Sequence, residues 1–104
     1  MLEGIASLVQ DNVDEFITNN NGIIIFHKTL CPHCKVMGTV LGKVHAQNSS
    51  IQIAAIDSEE ETALMERFGV ERVPTLMVFK NGEKKAMSKG IMNPKETIAF
   101  FANA

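Results

Sequence analysis

Residues Gly22 to Cys34 read Gly-Ile-Ile-Ile-Phe-His-Lys-Thr-Leu-Cys-Pro-His-Cys, an apolar run followed by two cysteines two positions apart. The stretch from Ile23 to His27 is too continuously apolar for a surface strand, so it predicts a central strand buried on both faces. Cys31 and Cys34 are the two cysteines of the chain. At this spacing they can close a small disulfide that barely restricts the unfolded chain, which favours a reversible redox switch over a structural bridge.

The size and charge of the chain exclude several classes of protein. A length of 104 residues predicts a single domain over residues 1–104. Charged residues make up 21% and the net charge is −2, with both signs scattered, so we expect no nucleic-acid or membrane partner. The N-terminal residues lack the features of a signal peptide, and we therefore expect a cytoplasmic protein, acting as a monomer.

The rest of the chain alternates helical and strand patterns. Helices are predicted from Asp11 or Asn12 to Thr18, from Cys31 to about Ala46, from the acidic turn Glu59–Glu61 to Gly69, and from Asn93-Pro94 through Phe101. Strands are predicted over Ile51–Ile56, over Thr75–Lys80 and, after an Asn81-Gly82 turn, over Lys84–Ser88. With a short N-terminal strand, this order predicts an α/β fold, a three-layer sandwich whose central sheet is mixed.

The segment from Cys31 to Cys34 is suited to thiol chemistry. A cysteine at a helix N-terminus faces unpaired N–H groups and the positive end of the helix dipole, which favour its thiolate form. Pro32 fits the first helical position, where no donor is needed. The imidazole of His33 can add positive charge beside Cys31. We therefore expect Cys31 to be the attacking nucleophile and the deeper Cys34 to resolve the mixed disulfide.

Zinc binding and a plain surface histidine are the other interpretations of these residues. A Cys-x-x-Cys pair is half of a zinc site, which His27, His33 or His45 could complete, but the chain has no second pair at ligand spacing, so no metal is predicted. His27 and His45 are interpreted as structural or solvated residues. An exposed His33 with no special role is the plain alternative to thiolate stabilisation.

The cysteine pair after a buried strand, with Val73-Pro74-Thr75 before the third strand, resembles the thioredoxin family. The resemblance covers nearly the whole chain and implies a thioredoxin-like three-layer α/β/α sandwich. It implies that Pro74 is a cis-proline packed against the disulfide and that the backbone at Val73 pairs with an extended substrate segment. Thr75 and Gly90 would belong to the same shallow groove. The Cys31–Cys34 disulfide would itself be the redox group, with no bound cofactor.

The departures from the family pattern are specific. Leu30-Cys31-Pro32-His33-Cys34 stands where ordinary thioredoxins have Trp-Cys-Gly-Pro-Cys, and Pro-His between the cysteines is similar to the periplasmic disulfide oxidases. Ile25 occupies the position of the family's buried Asp. The lysine that commonly pairs with that Asp would fall at Ile53 or Ala55, two alternatives that the sequence leaves open. Because an unpaired buried charge is unfavourable, the joint absence of both charges is self-consistent.

These features predict a thiol–disulfide oxidoreductase that is less reducing than ordinary thioredoxin. Without the buried Asp, Cys34 must lose its proton elsewhere, so release of the first partner should slow. A long-lived mixed disulfide with a good leaving group favours isomerase- or oxidase-type activity on protein disulfides and dithiols. One alternative is a general protein disulfide reductase recycled by a thioredoxin reductase. The other is a thioredoxin-fold interaction module whose cysteines are incidental.

Overall fold

The computed structural model describes residue 2 and residues 4–104. Its helices are Val13–Asn19 (α1), Pro32–Gln47 (α2), Thr62–Arg67 (α3) and Pro94–Ala102 (α4). Its strands are Ala6–Ser7 (β1), Gly22–His27 (β2), Gln52–Asp57 (β3), Thr75–Lys80 (β4) and Glu83–Lys89 (β5). Within these residues the strands form one sheet in the order β1-β3-β2-β4-β5.

The sheet is mixed, as predicted. β1 and β2 both pair with β3 in parallel, whereas β4 runs antiparallel to β2 and to β5. The β4–β5 hairpin turns at Asn81-Gly82, where both residues have positive φ (55° and 79°), as a two-residue turn of this type requires. β2 is the middle strand and all six of its residues are buried, which confirms the prediction from its apolar run.

Two hydrophobic clusters lie on opposite faces of the sheet and complete the three-layer sandwich. Ile24 and Phe26 of β2 pack with residues of α1 and α3 on one face. Ile23 and Ile25 pack on the other face with Met37 and with further residues of α2 and α4. Alternation along β2 therefore divides its side chains between the two cores.

The start of α3 differs from the prediction. The helix begins at Thr62 with Glu61 as its N-cap residue, so the acidic residues Glu59–Glu61 do not form its first turn. The carboxylate of Asp57 explains the difference, because Oδ1 accepts the backbone N–H groups of Glu59 (2.9 Å) and Glu60 (3.3 Å). This side-chain turn holds the segment outside the helix.

The predicted cap of α1 also needs correction. Asn12 is the N-cap residue by position, but its side chain makes no capping hydrogen bond. Its Oδ1 instead accepts the N–H of Val9 at 2.8 Å, three residues earlier in the chain. The side chain therefore closes the turn before the helix, and Asp11 is not the cap.

Candidate active site

The two cysteines lie where β2 gives way to α2. Cys31 is the N-cap residue of this 16-residue helix, Pro32 follows at its first position, and Cys34 lies in the first turn. A disulfide joins Cys31 to Cys34, whose Cα atoms are 5.2 Å apart. The N–H of Cys34 also donates to Sγ of Cys31 at 3.3 Å. Sγ of Cys31 is therefore surrounded by the partial positive charge of the helix N-terminus, which stabilises a thiolate.

The two sulfur-bearing residues differ in accessibility. Cys31 is half-buried, whereas Cys34 is 1% exposed. A substrate disulfide can therefore approach Cys31, while Cys34 is reached through the sulfur of Cys31. This is the difference that separate roles as attacking and resolving thiols require.

The residues around the disulfide present an open surface. The side chains of Pro32 and His33 are exposed. Leu30, which precedes Cys31, is 94% exposed and has a φ of 58°, in the region that leucine rarely adopts. The turn at the end of β2 thus holds a large apolar side chain in solvent beside the disulfide.

The register of the sheet brings the predicted substrate-binding residues to the same edge. Phe26, near the end of β2, is opposite Thr75, the first residue of β4. The Val73–Pro74 peptide bond directly before it is cis. The carbonyl of Pro74 accepts the N–H of Gly90 at 3.0 Å, which holds the residues after β5 against this turn. Val73, Pro74, Thr75 and Gly90 therefore lie together at the edge from which the Cys31 loop emerges, and their role in substrate binding stays a prediction.

The alternatives left open for the family's buried lysine are decided by the pairing of β2 with β3. Ile25 is opposite Ala55, whereas Ile53 is opposite Ile23 and is only partly buried. Ile25 and Ala55 are both fully buried in the same hydrophobic cluster. Ala55 is therefore the residue that faces the position of the missing carboxylate.

His27 is the functional candidate that the sequence interpretation missed. Its side chain is 2% exposed, and its Nε2 atom is buried without a hydrogen-bond partner among residues 2 and 4–104. Burial lowers the pKa of His27, and the nearby carboxylate of Asp57 opposes that shift. His27, Cys31 and Cys34 line one cleft of about 640 Å³. Period-two counting along β2 already places residues 23, 25 and 27 on one face, and this was the available signal.

The described residues hold neither a cluster of metal-binding side chains nor a membrane-spanning helix. Among residues 2 and 4–104, no three His, Cys, Asp or Glu side chains lie close enough together to hold a metal ion. Within the same residues, no helix has the length and apolar character needed to cross a bilayer.

Comparison with known proteins identifies relatives of two kinds. Protein disulfide-isomerase A5 of Bos taurus is 36% identical over an alignment of 86 residues, which covers 77% of this chain and 16% of that protein. The first such relatives are much longer, and this chain spans about one sixth of their length. The thioredoxin of Chlamydia caviae is 32% identical over 74 residues, which are 71% of this chain and 72% of that protein.

Solved structures agree with the fold. The solution structure of desulfothioredoxin from Desulfovibrio vulgaris Hildenborough in its reduced form has a TM-score of 0.85 and 37% identity, covering 97% of this chain and 98% of that one. Mitochondrial thioredoxin 3 from Saccharomyces cerevisiae has a TM-score of 0.86 at 22% identity, covering 96% of this chain and 95% of that one, and this likeness concerns the fold alone. The thioredoxin family model matches residues 4–104, and the disulfide at the end of β2 stands where the resemblance implied it, so this chain belongs to the thioredoxin family.

Proposed function

We propose that this protein is a thiol–disulfide oxidoreductase that acts through Cys31 and Cys34. The observation that carries the proposal is the disulfide at the N-terminus of α2, with one sulfur open to a partner and the other buried behind it. In the reducing direction the Cys31 thiolate attacks a substrate disulfide, and Cys34 then attacks Cys31 to release the substrate dithiol. In the oxidising direction the same steps run backwards.

The substrates that we propose are protein disulfides and dithiols. The exposed side chains of Leu30 (94%) and Ile91 (47%) flank the predicted groove and offer apolar contacts to an extended segment. The resemblance implies that the backbone at Val73 supplies hydrogen-bonding groups for such a segment. Apolar surface combined with free backbone groups suits a polypeptide substrate better than a small thiol.

We further propose an isomerase-type bias and a reduction potential between those of thioredoxin and the periplasmic oxidases. These two potentials are about −270 and −120 mV, a gap of roughly 7 kcal/mol. Pro32 and the exposed His33 favour the Cys31 thiolate and can account for part of the gap. The apolar Ile25 removes the family's usual proton acceptor, so resolution by Cys34 depends on another base. We expect this resolution to be slower than in ordinary thioredoxins, which gives a substrate time to rearrange.

The decisive experiment compares two activities in the same preparation. We expect the protein to reactivate scrambled ribonuclease faster than it reduces insulin, and to equilibrate with glutathione at an intermediate potential. The Cys31→Ser variant should lose both activities, and His33→Gln should shift the potential toward that of thioredoxin. Rapid insulin reduction with a thioredoxin-like potential would contradict the isomerase bias and leave the oxidoreductase itself intact.

A general disulfide reductase recycled by a thioredoxin reductase is the second candidate. The similarity to the thioredoxin of Chlamydia caviae over 71% of this chain favours it. Direct reduction of the disulfide by a thioredoxin reductase and NADPH would support this candidate. Full biological activity of Cys31→Ser would instead favour an interaction module.

We also propose the cytoplasm as the location and a monomer as the working form. Both cysteines belong to the active-site pair, so the chain has no further disulfide that an oxidising compartment would have to form. Cell fractionation and sedimentation of the purified protein test these two points. Recovery from an extracytoplasmic fraction, or a stable dimer, would contradict them.

A further inference from the structure

The face of β2 that carries Ile23 and Ile25 is covered by α2, the helix that bears Cys34. His27 is two residues beyond Ile25, so alternation along the strand places it on this same face, nearer to the end of the sheet. The cleft lined by His27 and Cys34 has room for water, and water in such a cleft can connect an imidazole with a thiol. The titratable side chain of His27 thus lies two residues along β2 from Ile25, the position where the family has its buried Asp.

His27 also borders a second cleft, of about 300 Å³, which residues 7–9 line as well. The carboxylates of Asp57, Glu60 and Glu61 line this second cleft. The imidazole therefore lies between the cleft that holds the cysteines and a cleft that holds acidic groups. This is the arrangement that a proton relay to solvent requires.

We propose that His27 accepts the proton that Cys34 must lose when it resolves the mixed disulfide. This inference rests on the proposed oxidoreductase function and assigns one of its steps. The imidazole takes the proton of the Cys34 thiol through water in the shared cleft, and the Cys34 thiolate attacks Sγ of Cys31. The Cys31–Cys34 bond forms, the bond from Cys31 to the substrate breaks, and the substrate sulfur leaves with the electron pair as a thiolate. The imidazolium then loses its proton to water in the acidic cleft.

The surroundings of His27 keep it in the form that can accept a proton. Burial lowers its pKa below the ordinary value, so the ring is neutral at neutral pH. Asp57, its register partner on β3, favours the imidazolium. Glu60 and Glu61 also line the second cleft, and Lys28 and Lys35 line the cleft that holds the cysteines. The acidic residues that border His27 thus belong to the second cleft, where the imidazolium would lose its proton.

The missing hydrogen bond at Nε2 separates this role from a structural one. A buried polar atom without a partner destabilises a fold, and an apolar residue of similar size avoids that penalty. We therefore expect the His27→Phe variant to fold at least as stably as the wild type. A structural histidine would show the opposite result.

The test follows the reduced protein reacting with Ellman's reagent by stopped-flow absorbance. Attack by Cys31 releases the first chromophore at a rate that depends on reagent concentration. Attack by Cys34 releases the second at a rate that does not, so the two steps are measured separately. In His27→Gln the second phase should slow by roughly a hundredfold at neutral pH, at the lower end of general-base effects, while the first phase is unchanged. The slowed phase should then rise in proportion to hydroxide concentration.

His45→Gln is the matched control, because His45 lies in the last turn of α2 and its Nδ1 is 2.9 Å from the carbonyl oxygen of Ile51. Its two phases should match the wild type. In a His27→Ala variant, added imidazole should accelerate the second phase alone. A folded His27→Gln or His27→Phe variant with a wild-type second phase overturns the assignment, and so does a His27→Ala variant that imidazole does not accelerate. Absence of the first phase in the wild type would instead refute the proposed function.

Discussion

The substitution Ile25→Asp tests why this chain lacks the family's buried acid. Ile25 is fully buried, and its partners across the sheet are Ala55 on β3 and Leu76 on β4, both also fully buried. A carboxylate at this position would have no cation beside it. We therefore expect the variant to be strongly destabilised at neutral pH.

The magnitude follows from two effects. Removal of the buried isoleucine side chain costs about 2–5 kcal/mol, as in large-to-small core substitutions. Full burial raises the pKa of a carboxyl by about 3–5 units, but at neutral pH only the interval of about 3 units above the unfolded pKa counts, so at about 1.36 kcal/mol per unit this adds roughly 4 kcal/mol. Together these effects are as large as the whole stability of a typical domain, about 5–15 kcal/mol. The variant should therefore be largely unfolded at neutral pH.

The pH dependence isolates the charge. Because the folded pKa of the new carboxyl would lie above its unfolded value of about 3.9, the folded protein binds more protons between the two pKa values. The added destabilisation is therefore absent below the unfolded pKa and develops as the pH rises through the folded pKa. In urea unfolding, the midpoint of the variant should lie below that of the wild type at both pH values, and the difference should be far larger at about pH 8 than at about pH 4.

Two companion variants complete the experiment. In Ile25→Asn the new side chain is similar in size to aspartate and does not titrate, so the loss of stability of this variant should not change with pH in this way. Adding Ala55→Lys to Ile25→Asp places a cation opposite the carboxylate and should recover about 0.5–3 kcal/mol relative to additivity. Equal midpoints for Ile25→Asp and Ile25→Asn at both pH values would refute the reasoning, because they would show a hydrated site.

Three further variants test the recognition surface and two structural contacts. Leu30→Lys should leave stability unchanged and raise KM for a protein disulfide about tenfold or more, since burying a leucine against a partner contributes about 1.5–3 kcal/mol. The rate of reduction of glutathione disulfide should stay constant, and an unchanged KM for the protein disulfide would exclude this side chain from recognition. Asn93→Ala should cost about 0.5–2 kcal/mol in urea unfolding, because it removes a capping box shared with Glu96, and Asn93→Ser should retain most of that stability. Gly22→Ala should cost about 1–3 kcal/mol or more, because its Cβ would lie 1.9 Å from the carbonyl oxygen of Gln52, and a wild-type melting temperature would contradict that contact.

The sequence predicted well those elements whose pattern of apolar residues is determined by burial in the core. The apolar run of β2 predicted a strand over Ile23–His27, and the observed strand differs by one residue. The repeat of apolar residues after Cys31 predicted a helix to about Ala46, and α2 ends at Gln47. In both cases the sheet or the core must cover the same side chains, so local pattern and tertiary structure agree.

The points that the sequence did not predict depend on a choice among competing hydrogen bonds. Asn12 could cap α1 or close the preceding turn, and the second arrangement forms. The acidic residues before α3 suit a helix N-terminus by charge, but the side chain of Asp57 accepts hydrogen bonds from the N–H groups of Glu59 and Glu60 and keeps them outside the helix. Each alternative satisfies the backbone nearly equally well, so composition alone does not decide between them.

The candidate site likewise contains some features that the sequence predicts and others that only the structure shows. The cysteine pair could be located from its spacing, whereas the segment around Pro74 was located through the resemblance to the thioredoxin family. The choice of Ala55 over Ile53 required the register of β2 with β3, since a shift of one residue would move the side chain to the other face. The unpartnered Nε2 atom of His27 and its place in the cleft of the cysteines could be read only from the structure.

With the role that we propose for His27, its contrast with Ile25 would explain how a chain without the buried acid resolves a mixed disulfide. A carboxylate deep in the sheet needs a buried cation, and Ala55 provides none. An imidazole at the strand end needs none, because it is neutral when it waits for the proton and charged only while it transfers one. The stability penalty then falls on the protonated form alone. Since the folded pKa of His27 lies below its unfolded value of about 6.5, the wild type should lose stability as the pH falls through that range, and His27→Phe should not share this loss. Urea unfolding of the two proteins between about pH 5 and 8 measures the difference, and parallel pH profiles would show that the buried imidazole carries no such penalty.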